Sequence, residues 1–90
     1  MVRICFAASI LKHVTVPNSI VVDARSVDDA LNVVFSDHPQ LRGYLLDDQG
    51  SVRFHVTVFV NSQTIKDRKS MSDKVAPGDE IYIFQALSGG

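Results

Sequence analysis

The segment from Ser26 to Pro39 constrains this chain more than any other. Val27, Ala30, Leu31, Val34 and Phe35 recur at i, i+3, i+4, i+7 and i+8, which gathers them on one face of a helix. Ser26 is suited to cap the N-terminus, and Asp29 three residues on completes a capping-box-like pair. Asp28 and Asp29 also complement the positive end of the helix dipole. Pro39 closes the helix, because the residue before a proline is pushed out of helical geometry. A helix apolar on one side needs a surface to cover, and the remainder of the chain offers strands.

The first strand is Val2 to Ala7, with Val2, Ile4 and Phe6 on one face and Arg3, Cys5 and Ala7 on the other. A second runs from Ser19 to Asp23 after a break at Pro17-Asn18, and the two are expected to pair as a hairpin. After the helix, Leu41, Tyr44 and Leu45 suggest a short extra turn packed under the domain, followed by a solvated loop at Asp47-Asp48-Gln49-Gly50. A long third strand is expected from Val52 to Val60. Val52, Phe54, Val56, Val58 and Val60 share one face, and Arg53, His55, Thr57 and Phe59 the other. Asn61-Ser62 turns into a short strand near Thr64-Ile65, and Lys66 to Lys74 is a polar loop. Pro77-Gly78-Asp79 is a turn into a last strand, Glu80 to Ala86, which delivers Leu87-Ser88-Gly89-Gly90 as a free end. The expected class is α+β, with a mixed sheet of about five strands packed on one main helix in two layers. This is the element order of the β-grasp fold. Residues 1–86 form the domain and 87–90 a flexible Gly-Gly tail.

Composition removes several function classes. Ninety residues with 46% hydrophobic and 21% charged side chains make one small globular core. A net charge of −1 provides no global basic field for a nucleic-acid backbone. One cysteine supports neither an internal disulfide nor a Cys-cluster metal site. No apolar run approaches the ~18–20 residues that span a bilayer. The run Ile4 to Leu11 behind Arg3 has a signal-peptide flavour, but Lys12 and His13 end it early and no Ala-x-Ala site follows, so a reduced, cytoplasmic protein is expected.

Nucleotide-binding, hydrolase and zinc-protease motifs are absent. His13, His38 and His55 are not spaced as metal ligands, and Asp47-Asp48 reads as a turn rather than a catalytic pair. Cys5 reads as a small strand hydrophobe rather than a nucleophile. Lys66, Arg68, Lys69 and Lys74 form a local basic loop, interrupted by Asp67 and Asp73 and either simply solvated or a partner contact. No catalytic residue and no resident metal or cofactor is expected.

The informative feature is the Gly89-Gly90 pair, which arises by chance at an end only ~0.5% of the time. Glycine weakens ordered structure, so the pair gains nothing in folding. It does make a thin end able to thread a narrow channel, and four extended residues reach roughly 13 Å. The α-carboxylate, with an ordinary pKa near 3.5, is ionised at neutral pH and must be activated, for instance by attack on the α-phosphate of ATP. The nucleotide site would lie on a partner.

At the C-terminal third the chain resembles the MoaD/ThiS family of ubiquitin-like β-grasp sulfur carrier proteins. The residues that carry the resemblance are Val58-Phe59-Val60-Asn61, then Pro77-Gly78-Asp79-Glu80-Ile81-Tyr82-Ile83, and Phe84-Gln85-Ala86-Leu87-Ser88-Gly89-Gly90. The resemblance implies that Gly90 is adenylated by an ATP- and magnesium-dependent activating enzyme similar to ubiquitin-activating enzymes. A sulfur donor then converts it to a thiocarboxylate that serves a sulfur-accepting biosynthetic enzyme. Gly90 would be the carrier residue, and Gly89 and Ser88 would give clearance in the channel. Phe59, Phe84 and Leu87 would dock partners through the sheet face away from the helix. Ser88 stands where the family often has Ala or Val. The stretch Gln40 to Ser51 is longer than in compact thiazole-pathway carriers, which favours molybdopterin or cysteine/homocysteine synthesis over thiamine synthesis. Two other functions share these features: a ubiquitin-like modifier joined to lysines through Gly90, and a β-grasp interaction module with an inert tail.

Overall fold

The computed structural model describes residues 1–86. Strand β1 (Val2–Phe6) leads into a short helix α1 (Ala8–Leu11), strand β2 (Ser19–Val22), the main helix α2 (Val27–Asp37) and helix α3 (Pro39–Leu45). Strands β3 (Val56–Val60), β4 (Gln63–Thr64) and β5 (Glu80–Gln85) follow. The strands form one sheet in the order β2-β1-β5-β3-β4. β1 and β5 run parallel at its centre, and the β1–β2, β3–β5 and β3–β4 pairs are antiparallel. This is the expected mixed five-stranded β-grasp sheet.

The period-two pattern decides which face is covered. Val2, Ile4, Phe6, Val56, Val58, Ile81 and Ile83 are buried, and the helix side chains Val27, Ala30, Leu31, Val34 and Phe35 close over them. Burial of such side chains stabilises by about 1.5–3 kcal/mol each. Ser26 caps α2 as expected, its Oγ accepting the Asp29 N–H at 3.1 Å. The Asp29 carboxylate reaches back one residue further than a standard capping box, to the Arg25 N–H at 3.2 Å. α2 stops at Asp37, and Pro39 opens α3, where its missing N–H costs nothing. The extra turn anticipated at Leu41 to Leu45 is thus a seven-residue helix with both leucines buried.

Two expectations are corrected. The third strand does not start at Val52. Val52 forms an isolated bridge with Leu46, residues 53–56 turn, and pairing with β5 begins at Val56. Phe54 is consequently 93% exposed rather than on the buried face, and His55 lies in the turn. The reason is non-local. The Arg68 guanidinium donates to the carbonyls of Arg53 at 2.6 Å and Val56 at 2.7 Å, while the Arg53 N–H donates to Leu45. Those groups would otherwise extend the ladder. Secondly, Ala8 to Leu11 is helical, burying Ile10 where only a connection was expected. No helix among the described residues is long and apolar enough to cross a membrane.

Candidate functional site

β5 connects two regions of different character. At its start, Asn61 sits in the left-handed region with φ 55° at the end of β3. Its Nδ2 donates to Asp79 Oδ1 at 3.1 Å, its Oδ1 accepts the Glu80 N–H at 3.0 Å, and its own N–H donates to the Glu80 carbonyl. The other Asp79 carboxylate oxygen accepts the Ala76 N–H at 2.8 Å. Gly78, at φ 91°, takes a turn conformation that a Cβ would strain. The Ala76 N–H, then the Asn61 amide, hold the Asp79 carboxyl below the usual carboxylate range. Two of the sequence segments that carry the family resemblance therefore meet in space, and their polar residues build the turn into β5.

The described chain leaves the sheet at the other end, about 17 Å along the strand. Three hydrogen bonds fix the exit. The Gln85 N–H donates to Ser9 Oγ of α1 at 3.0 Å, the Tyr44 hydroxyl of α3 donates to Gln85 Oε1, and the Ala86 N–H donates to the His55 carbonyl at 2.8 Å. Burial pushes the Tyr44 phenol up, which keeps it a donor. The two short helices that flank the sheet thus determine where the chain departs.

The sheet face away from α2 carries Phe59, Tyr82 and Phe84. Phe59 and Phe84 are half-buried and stack at 5.7 Å between centroids, and Tyr82, 38% exposed, lies 6.0 Å from Phe84. Ser19, Cys5, Tyr82, Phe59 and Thr64 are register partners in one row across this face. Partial burial of a stacked pair leaves apolar surface available to a second protein. Phe59 and Phe84 are thus brought together as one patch two residues before the exit. Leu87, Ser88, Gly89 and Gly90 lie outside the described residues.

The remaining candidates have ordinary surroundings. Burial raises the Cys5 thiol, the Glu80 carboxylate adds to the rise and Arg3 offsets part of it, a direction opposite to that of an activated nucleophile. Asp47 Oδ1 accepts the N–H groups of Gln49 and Ser51 and so closes a turn. His13 stacks on Tyr44 at 5.7 Å, and no grouping of three His, Cys, Asp or Glu side chains among the described residues has the geometry of a metal site. Arg68 of the basic loop is committed to backbone carbonyls, whereas Lys66, Lys69 and Lys74 are exposed. Sequence reasoning missed Phe54, which adjoins the exit through His55, because its local pattern continues that of β3.

The ThiS family model matches residues 14–90 of this chain. Small archaeal modifier protein 1 of Haloferax volcanii is 31% identical over 65 residues, 72% of this chain and 70% of that protein. The crystal structure of that archaeal protein superposes with a TM-score of 0.78 at 26% identity, covering 99% of this chain and 98% of the other. The Amycolatopsis orientalis BexX/CysO complex contains a chain that superposes with a TM-score of 0.83 at 20% identity over the full length of both, which is a likeness of fold. Through residues 14–90, Gly89 and Gly90 included, this chain belongs to the ThiS family.

Proposed function

We propose that this chain is a protein co-substrate, a sulfur carrier that presents the carboxylate of Gly90 to an ATP-dependent activating enzyme. Residues 1–86 are the presenting domain and residues 87–90 the tail. The carboxylate oxygen attacks the α-phosphorus of ATP, pyrophosphate leaves, and the glycyl carbonyl becomes an acyl-adenylate. Hydrosulfide released by a sulfur donor then adds to that carbonyl carbon, and AMP departs with the electrons of the broken C–O bond. The resulting thiocarboxylate hands its sulfur to a biosynthetic acceptor enzyme, with molybdopterin or cysteine/homocysteine synthesis favoured over thiamine synthesis. ATP and magnesium belong to the activating enzyme.

The observation that carries this reading is that the family match runs through the terminal Gly89-Gly90. Two features support it. The exit of β5 is pinned by Ser9, Tyr44 and His55, so the tail starts from a defined point. The Phe59–Phe84 stack beside that exit offers apolar surface for docking. The test is ATP–pyrophosphate exchange in extract of the source cells. Exchange that depends on the full chain, and is lost when Gly89 and Gly90 are deleted, agrees with the reading. Exchange indifferent to the deletion contradicts it.

A second reading, a modifier joined to lysines through Gly90, is favoured by the name of the archaeal relative, small archaeal modifier protein 1. It shares the adenylation and differs in whether sulfur or a lysine amine takes the acyl group. Branched peptides carrying the C-terminal sequence on a target lysine would select it.

A further inference from the structure

Phe54 is 93% exposed, more than any other large apolar residue described, and its neighbours hold it there. Val52 and Val56 on either side are 6% and 0% exposed. The turn between them is closed by the Val56 N–H on the Arg53 carbonyl at 2.9 Å and by the Arg68 guanidinium on the carbonyls of Arg53 and Val56. The Arg53 N–H is tied to Leu45, and the Arg53 Nε donates to the Gly43 carbonyl at 3.2 Å. Phe54 cannot turn inward without undoing these bonds. Its ring meets His55 edge-on at 5.5 Å.

The position of this ring matters because of the chain that follows Ala86. The His55 carbonyl accepts the Ala86 N–H, so Phe54 is one peptide from the strand exit. On the reading above, the reacting carbon is that of Gly90, four residues beyond Ala86. Four extended residues span at most about 14 Å. Any enzyme whose catalytic groups reach Gly90 must therefore bring its own surface close around the exit. The Phe59–Phe84 stack occupies the sheet face there, and Phe54 occupies the turn beside it.

We infer that Phe54 is an anchor for the enzyme that adenylates Gly90, its ring entering an apolar pocket at the mouth of the channel that takes the tail. The inference rests on the carrier reading and names a contact of that same site. Large rings that are exposed when free and desolvated when bound supply an outsized share of interface energy. Holding the ring in place beforehand reduces the ordering cost of association.

The test uses the full chain and the activating enzyme purified from the source cells by its chain-dependent ATP–pyrophosphate exchange. Phe54→Ala should raise the KM for the chain about tenfold or more, with kcat at saturation within about twofold and the thermal midpoint unchanged. Phe54→Leu should recover most of the loss. A Phe54→Ala chain with unchanged KM, alongside a wild-type chain that is activated, would overturn the inference while leaving the carrier reading standing. Absence of exchange with the wild-type chain would overturn both. A dimer of the wild-type chain that Phe54→Ala dissolves without affecting exchange would assign the ring to self-association and overturn the inference.

Discussion

The two ends of β5 are built from different materials. At its start, Asn61, Asp79 and the surrounding backbone satisfy one another within a turn. At its finish, the Gln85 and Ala86 N–H groups donate to Ser9 Oγ and the His55 carbonyl, the Tyr44 hydroxyl donates to the Gln85 side chain, and Phe59 and Phe84 stack half-buried on the outer face. The first end consumes its polar groups in folding, and the second leaves apolar surface near Ala86, where the chain leaves the sheet. The strongest sequence motif outside the tail, Pro77-Gly78-Asp79-Glu80, lies at the folding end. A family motif can therefore be one that serves folding.

Substitutions should separate the two ends, and the largest effect is expected at the tail. Gly90→Ala should lower activation by a hundredfold or more, on the order of 3 kcal/mol in kcat/KM, with an unchanged thermal midpoint. Equal activation of variant and parent in the exchange assay would break the comparison at its functional end. Phe84→Glu should come next, weakening docking to the activating enzyme by about 2 kcal/mol while the domain stays folded, measured as KM beside circular dichroism. Unfolding of this variant would show that Phe84 belongs to the core and that the docking face is misassigned.

Asn61→Ala should have the opposite profile. It removes two side-chain hydrogen bonds and puts a Cβ-bearing residue less suited to positive φ in the turn, so denaturant titration should register a loss of about 1–3 kcal/mol. Activation of the folded fraction should be unaltered. Asn61→Gly sharpens the point, since glycine accepts the dihedral and isolates the hydrogen bonds.

The smallest effect is a pH dependence. The Asp79 carboxyl is held below the usual carboxylate range when folded, so its contribution is fully present above that range. It is lost as pH falls through the folded value, because the unfolded chain takes up the proton first. Asp67, lowered chiefly by the Ser72 hydroxyl, acts with the same sign. Asp79→Asn should flatten the acid limb of a stability–pH curve. An unchanged limb would remove Asp79 from the account of the folding end.

The sequence disclosed most where the controlling interactions are local. α2 could be read from its cap and its 3.6-residue rhythm, and the alternation in β1 and β3 identified the covered face. Alternation placed Phe59 on the opposite surface, whereas Phe84 was assigned to that surface by the family resemblance and the structure stacks the two rings. Reading failed where distant residues intervene. Val52 to Val60 alternates throughout, yet Arg68 and Leu45 occupy the backbone groups of Arg53 and Val56 and turn the chain before β3 begins. Ala8 to Leu11 is a short apolar run whose helical form depends on burying Ile10. Both departures lie at the finish of β5, one through Ser9 and the other through His55, so the site was the less legible part of the fold.

The most direct test of the central claim is the intact mass of the protein isolated from its own cells under conditions that protect thiocarboxylates from hydrolysis, with the C-terminal peptide sequenced. The account predicts a population heavier by the difference between sulfur and oxygen, with the added mass at Gly90. A C-terminal peptide that carries only the carboxylate at Gly90, or that continues beyond it, would contradict the account.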